Sequence, residues 1–159
     1  FFRWTMINMG LVKIKGVDVV LQGLWKFGND WVFDSRLSYT YQKAQDFTDK
    51  SDKDTYGGQI SYIPWHSGSA ILNAGYKSWE LNYSFIYTGE RYDVSANTPE
   101  NYRLPWYTSD FSLAKKFSWR KYDFKLTLEV NNIFNQQYEV VRSYPMPGTN
   151  FKFILNLTI

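Results

Sequence analysis

The side chains most able to do chemistry in this sequence do not form a catalytic set. His66 is the only histidine and there is no cysteine among the 159 residues. A Ser-His-Asp centre, a Cys-His centre and a zinc site therefore all lack parts. In "IPWHSGS", His66 is expected to be a hydrogen-bonding loop residue; the alternative is a metal or haem ligand, although one imidazole makes no site. The sequence predicts a protein that is not an enzyme.

Acidic residues offer two further kinds of site. "DFTDKSDKD" holds four aspartates within a short stretch, which is a calcium-like spacing, but Lys50 and Lys53 lie between them and the glycine and glutamate of an EF-hand loop are missing. A solvated loop is the preferred interpretation. Glu80 and Glu129 could be imagined as a hydrolase pair. Their places in alternating strands indicate instead two members of one polar face.

Composition excludes several other classes. The net charge of +3 is too small for a nucleic-acid-binding surface. Apolar side chains never run on for the roughly 20 residues that a transmembrane helix needs. Yet 20% of the residues are aromatic, with 13 tyrosines and 7 tryptophans. Rings of this amphipathic kind favour an interface between water and an apolar phase.

Alternation of apolar and polar residues predicts about eight antiparallel strands and no helix. One is an N-terminal remnant before residue 10. The others are "GVDVVLQGLWKF", "WVFDSRLSYTYQ", "AILNAGY", "WELNYSFIYTGERY", "YTSDFSLAKKF", "YDFKLTLEV" and "FKFILNLTI". Long loops are expected over residues 43–69, 93–106 and 143–150, the first with a short ribbon in "GGQISYI". Tight turns join the remaining neighbours.

Two features favour a membrane barrel over a soluble barrel or sandwich. Connections alternate short and long, as in outer-membrane barrels with short periplasmic turns and long external loops. Aromatic residues lie near both ends of the strands, as in the two girdles of such barrels. On this interpretation Leu126, Leu128, Leu155 and Leu157 face lipid, and residues 46–68, 93–105 and 143–150 lie outside the cell.

Four segments resemble motifs of TonB-dependent outer-membrane receptors. "NIFNQQY" is similar to their Asn-Leu-Phe-Asp-x-x-Tyr motif, and "PMPGTNF" to the Pro-x-Pro-Gly-Arg-x-Phe segment before their last strand. "YTGERYD" resembles their Tyr-x-Gly-x-Arg-Tyr element, and "GVDV" their Gly-Val-Glu strand opening. The chain departs from the pattern at Asn135, at Thr149 and at its final residue Ile159.

The resemblance implies an all-β chain, residues 1–159, that forms the C-terminal arc of a barrel of about 22 strands. It further implies a plug domain and a TonB-contacting segment outside this sequence, and a multi-pass place in the outer membrane of a Gram-negative cell. Expected partners are membrane lipid and lipopolysaccharide, TonB through the missing N-terminal part, and a metal chelate such as a ferric siderophore, haem or cobalamin. No cofactor and no nucleic acid are expected. The terminal strand should pair with residues 122–130 and not with residues 1–9.

A set of loop residues combines aromatic faces with fixed positive charge, which suits flat or anionic ligands. Equally, the rings could belong to the upper girdle and the arginines could contact lipopolysaccharide. Two other functions stay open: a complete eight-stranded outer-membrane barrel with an adhesive or structural role, and a soluble ligand-binding or esterase-like barrel. The candidate ligand-binding residues are Tyr62, Trp65, His66, Arg91, Tyr92, Tyr102, Arg103, Trp106, Arg142 and Tyr144.

Overall fold

A computed structural model describes residues 10–158, and most of these residues lie in strands. A 3-10 helix, Pro99–Asn101, interrupts one connection. The strands are β1 (Val12–Phe27), β2 (Trp31–Asp46), β3 (His66–Tyr76), β4 (Trp79–Thr88), β5 (Arg91–Tyr92), β6 (Tyr102–Arg103), β7 (Trp106–Trp119), β8 (Tyr122–Asn131), β9 (Glu139–Val141), β10 (Tyr144–Pro145) and β11 (Asn150–Thr158).

The main sheet has seven strands in the order β1-β2-β3-β4-β7-β8-β11. Each strand pairs antiparallel with the next long strand of the chain. The ribbons β5-β6 and β9-β10 stand apart from it. This confirms the predicted all-β antiparallel meander. Within residues 10–158 no helix is long and apolar enough to cross a bilayer, a finding that does not bear on strands.

Seven of the predicted strands are seen, and the expected eighth falls on residues 1–9, outside the described part, where it stays a prediction. One predicted loop and one predicted ribbon differ from the structure. The predicted loop over 43–69 is too long, because β2 continues to Asp46 and β3 already begins at His66. "GGQISYI" forms only the isolated bridge between Gln45 and Gln59. Where both faces of a strand meet water, apolar alternation disappears and no longer marks the strand.

The two faces of the sheet differ in their share of polar side chains, although Ile14, Val20 and Leu24 of β1 are exposed apolar residues on the more polar face. One carries exposed apolar residues such as Val17, Leu21, Leu128 and Leu155. On the other, side chains from six strands converge on a groove of about 650 Å³, so this face is concave. Polar side chains from β2, β3, β4, β7, β8 and β11 line it, among them Asp34, Asn73, Glu80, Asn82, Ser112, Lys125, Thr127, Glu129 and Asn156.

Hydrogen bonds link the polar residues of the concave face across strands. The Asn73 amide donates to Asp34 Oδ1 at 3.0 Å, and the Asn82 amide donates to Asn73. Ser38 and Ser69 hydroxyls lie 2.7 Å apart. Cross-strand polar pairs of this kind satisfy groups that an apolar core would leave unpaired.

The two glutamates of the concave face each pair with lysine rather than with each other. Glu80 accepts a hydrogen bond from Lys125 Nζ at 2.6 Å and also contacts Lys116 Nζ. Glu129 lies 3.8 Å from Lys152 Nζ. Both carboxylates therefore take part in cross-strand ion pairs.

Turns and long connections occupy opposite ends of the sheet. The tight turns at residues 28–30, 77–78 and 120–121 lie at one end. Gly28, Lys77 and Arg120 have positive φ there, of 59°, 52° and 57°, which sharp hairpin turns require. The connections 47–65, 89–105 and 132–149 all lie at the other end, called here the long-loop end.

The last strand lies at one edge of the sheet. Asn150 to Thr158 of β11 pair with Asn131 to Asp123 of β8, as expected from the sequence. Within residues 10–158, β11 does not pair with β1, which forms the opposite edge. The sheet is thus an open, curved arc in the part that the structure describes.

Labelling of whole cells tests which end of the sheet is external. Single cysteines at Lys50 and Glu100, both exposed at the long-loop end, should react with a bulky membrane-impermeant maleimide, and those at Asn29 and Lys121, exposed at the tight turns, should not. Asn97 is less suited, because its side chain is hydrogen-bonded to Gln59. All four should react after outer-membrane permeabilisation, and the opposite pattern in intact cells would reverse the orientation.

Candidate functional site

The three long connections meet one another beyond the sheet. The Asn97 amide donates to the carbonyl of Gln59 at 3.0 Å, and the amide of Tyr62 donates to the carbonyl of Tyr92 at 2.8 Å. Arg91 reaches the third connection, as described below. The connections therefore form one assembled surface at the long-loop end.

Asp93 is the centre of this assembly. Its side chain is 1% exposed. Arg103 donates to Asp93 Oδ2 from Nε at 2.7 Å and from one terminal nitrogen at 2.5 Å. A terminal nitrogen of Arg142, from the third connection, lies 3.5 Å from the same oxygen. One buried carboxylate thus joins arginines from two connections, leaving net positive charge around it.

Arg91 holds the third connection to the second. It is 3% exposed and donates to the carbonyls of Glu139 at 2.8 Å and Val140 at 3.2 Å. Burial is the main cause that lowers its pKa from the usual value, although a guanidinium stays charged. A side chain so enclosed is placed to bind backbone, whereas Arg103 and Arg142 are partly open to solvent.

Aromatic residues line a cavity of about 240 Å³ between the first and second connections. Tyr92 and Tyr102 meet edge to face with ring centres 5.7 Å apart, and the Trp65 ring lies 4.9 Å from Lys43 Nζ. The pKa of the Tyr102 hydroxyl is raised, first by burial and then by the charge of Glu90. The cavity is lined by Gly57, Gly58, Gln59, Trp65, Glu90, Tyr92, Asn97 and Tyr102. Its rings and amide and carboxylate groups suit a flat, polar ligand.

Three other candidates lie outside the aromatic cavity. Trp106 stacks on Tyr138 with ring centres 4.5 Å apart. The Tyr62 hydroxyl accepts from the amide of Arg142 at 3.4 Å. Tyr144 is 71% exposed. These three residues border the assembled surface without sharing one pocket.

His66 lies on the apolar side of the sheet, apart from the other candidates. It is the first residue of β3 and pairs with Tyr41, so the prediction that it is a loop residue is wrong. Its Nδ1 lies 2.8 Å from the Tyr39 hydroxyl, and Tyr39 and Tyr41 lie on the same outward face of β2 towards the long-loop end. Side chains on this outward face do not line the groove, so the structure gives no support to a ligand role for His66.

The segment "NIFNQQY" forms a capped turn after β8. Asn132 has φ of 51°, a conformation that asparagine tolerates better than most residues. Its side chain accepts from the amide of Gln136 at 2.9 Å and donates to the carbonyls of Gln136 and Pro147. Asn135 accepts from the amide of Thr149 at 3.1 Å. Two of the three departures from the family motifs, Asn135 and Thr149, thus contact each other.

Aspartates at the start of the first connection accept hydrogen bonds from nearby backbone amides. Asp46, Asp49 and Asp52 each accept from an amide two residues further on, at 2.8, 2.8 and 3.0 Å. Such Asx turns fix loop conformation. Among residues 10–158 no three His, Cys, Asp or Glu side chains cluster in a way that could hold a metal ion.

The architecture agrees with a match to a known family. The family model described as TonB dependent receptor-like, beta-barrel, matches residues 1–133. The chain belongs to this family. Two of the four motifs, "GVDV" and "YTGERYD", fall within the matched residues. A TonB-dependent receptor barrel implies a place in the outer membrane, and the family consists of receptors and transporters and not generally of enzymes.

Sequence reasoning missed the residues that organise the TonB-dependent receptor loops. Asp93, Gln59, Glu90 and Asn97 were not among the candidates, although Asp93 ends the motif "YTGERYD". Its place at the end of this motif was the one feature of the sequence that could have marked Asp93. The partners of Gln59 and Asn97 come from distant parts of the chain, so no local pattern marks them.

Proposed function

We propose that this chain is the C-terminal arc of a TonB-dependent transporter of about 22 strands, whose external loops take up a metal chelate such as a ferric siderophore, haem or cobalamin. On this proposal the plug domain and the TonB-contacting segment belong to other parts of the same protein. The assembled surface at the long-loop end carries the proposal. It carries both the aromatic cavity and two partly exposed arginines, Arg103 and Arg142.

The rings of the aromatic cavity favour a flat chelate. The arginines outside the cavity favour anionic groups on that chelate, since the charged residue that lines the cavity itself is Glu90. The loop assembly holds three arginines around a single buried carboxylate, so positive charge remains for a ligand. Tyr92, Tyr102 and Trp65 supply ring faces, on which planar groups stack. Transport would then follow when energy relayed by TonB rearranges the plug beneath the bound ligand.

Binding and uptake by the whole receptor test this proposal. Tryptophan fluorescence should be quenched on titration with a ferric catecholate siderophore, haem or cobalamin, and uptake of the binding chelate should stop in cells without TonB. Tyr102→Ala combined with Arg142→Ala should weaken binding about tenfold or more, because each removes a contact worth about 1 kcal/mol.

Matched substitutions at the other end provide the control. Tyr122 and Arg120 lie at the tight turn between β7 and β8, and their replacement by alanine should leave binding unchanged. If no chelate binds, or if uptake continues without TonB, the proposed transport function is wrong.

A further inference from the structure

The aromatic cavity lies on the opposite side of the ribbon β5-β6 from two of the loop arginines. In this ribbon Arg91 pairs with Arg103, and Tyr92 pairs with Tyr102. Successive residues of a strand point to opposite faces, so the two tyrosines share one face and the two arginines share the other. Both tyrosines line the cavity and neither arginine does. The positive charge of the ribbon is therefore directed away from the cavity.

Glu90 gives the aromatic cavity a negative charge. Within residues 10–158 it is the one charged side chain that lines the cavity, and no ion pair found there includes it. Burial, and after it the charge of Glu90, raises the pKa of the Tyr102 hydroxyl, which indicates that the carboxylate lies near this ring. Glu90 is only partly exposed. A carboxylate that has lost part of its hydration is stabilised by a cation placed next to it.

The hydrogen-bond donors of the cavity wall are already used or enclosed. Gln59 Nε2 donates to two backbone carbonyls, at 2.7 and 3.3 Å, and Asn97 Nδ2 donates to two more, both at 3.0 Å. The amides of Gly57 and Gly58 also donate to carbonyls. Trp65 Nε1 has no partner among residues 10–158, but it is buried away from solvent. Ring faces and a carboxylate remain for a ligand, and both attract a cation rather than an anion.

The rings of the cavity are of the kind that bind cations. Tyr92 and Tyr102 meet edge to face with ring centres 5.7 Å apart, and the Trp65 ring already lies 4.9 Å from Lys43 Nζ. Lys43 itself is not among the residues that line the cavity. Aromatic rings attract ammonium groups more strongly when water is excluded, and groups of such rings recognise organic ammonium ligands.

The size of the cavity limits what enters it. Its volume of about 240 Å³ is below the roughly 300–1,000 Å³ of sites that enclose a whole small-molecule ligand. It equals roughly eight water molecules at about 30 Å³ each. An ammonium group with its alkyl substituents therefore fits, whereas a whole metal chelate does not.

We propose that the aromatic cavity binds an organic ammonium group, with the rings around it and Glu90 balancing its charge. A small free amine and one substituent of a larger chelate supply the same chemistry. The inference deepens the proposed function, and it rests on that function only for the part of the ligand outside the cavity. There Arg103 and Arg142 would meet anionic groups of the same ligand.

Binding of choline to the whole receptor in a neutral detergent tests the inference. Titrations followed by saturation-transfer NMR would compare choline with 3,3-dimethylbutan-1-ol, in which a neutral carbon replaces the nitrogen at nearly the same shape. Choline should bind about tenfold more tightly, because the ring faces and the carboxylate favour only the charged probe. Equal binding of the two probes, or no binding of choline, would overturn the proposal.

Substitutions in the cavity separate charge from shape. Glu90→Gln keeps the size of the side chain and should weaken choline binding about tenfold, while binding of the neutral probe stays unchanged. Tyr102→Leu should weaken choline binding about fivefold, and Tyr102→Phe, which keeps the ring, should bind as the parent does. Unchanged choline binding by Glu90→Gln would also overturn the proposal.

Glu100→Gln is the matched control. Glu100 belongs to the same connection as Glu90, but it is exposed and does not line the cavity. Its replacement should leave choline binding unchanged. An equal loss for Glu90→Gln and Glu100→Gln would mean that the cation responds to the general charge of the loops and not to the cavity.

A pair of chelates separates the two sources of the ammonium group. Ferrioxamine B carries a pendant primary ammonium, which its N-acetylated form lacks. Displacement of choline by the first and not by the second would assign the ammonium to a larger ligand, and displacement by neither would assign the cavity to small amines. Choline binding requires neither TonB nor uptake, so failure of this inference and failure of the transport function are distinguishable.

Discussion

Asp93→Ala should lower the free energy of unfolding by about 1.5–3 kcal/mol, the usual contribution of hydrogen bonds to a charged group, since the Asp93 carboxylate is buried while its arginine partners are partly exposed. The reason is that Arg103 and Arg142 would then face each other around an empty buried position, close to Arg91. Chemical unfolding of the whole receptor in detergent micelles or liposomes measures the change. Loop accessibility to protease should rise in the same variant, because the second and third connections lose their shared anchor.

Asp30→Ala is the matched control for this prediction. Asp30 also pairs with a basic residue, Lys77, but at 3.8 Å and with both side chains about half exposed (49% and 58%). Exposed pairs contribute about 0–1 kcal/mol. Equal losses for Asp93→Ala and Asp30→Ala would show that burial of the Asp93 carboxylate has no energetic weight.

Leu128→Arg should cost about 2–4 kcal/mol, because a cation would be placed near the centre of the hydrocarbon layer. Leu128 is 50% exposed on the outward face and pairs with Leu113 and Phe153. It lies midway along the chain between Tyr122, at the tight-turn end, and Phe134, which contacts Tyr107 near the long-loop end. Unfolding titrations in liposomes give the difference from the parent.

Thr127→Arg makes the same chemical change one residue away. Thr127 lines the polar groove, where a charged side chain meets polar groups instead of lipid. Its cost should be near zero. Equal costs at the two positions would mean that the two faces of β8 are not assigned correctly.

The strands were predictable because lipid on one face and polar groups on the other impose a strict period of two. In β8, "YDFKLTLEVN" keeps this period from Tyr122 to Val130, and the predicted pairing with the terminal strand is confirmed. The upper ends of β2 and β3 were missed because both of their faces leave the membrane there. The amino-acid composition of these strand ends therefore resembles that of a loop.

The loop assembly was far less predictable. Arg103 and Arg142 carry a recognisable chemistry, but their shared partner Asp93 is fixed by the paths of two separate connections. The aromatic cavity likewise combines Gly58 with Tyr102. Such contacts depend on chain conformation between the strands, which periodicity does not specify. His66 is the opposite case. Its imidazole is chemically suited to bind a metal, but it lies on the outward face of the sheet.

The placement of every tight turn at one end also sets the order in which conformational entropy is lost. Each doubling of a closing loop costs about 0.6 kcal/mol more. The connections 47–65, 89–105 and 132–149 are roughly three doublings longer than the turns, so closing each costs about 2 kcal/mol more. Because the tight turns close at a lower entropic cost, hairpins are favoured for the strand pairs β1-β2, β3-β4 and β7-β8. In the described part, the arc is thus three such hairpins and the single strand β11, joined through the long connections.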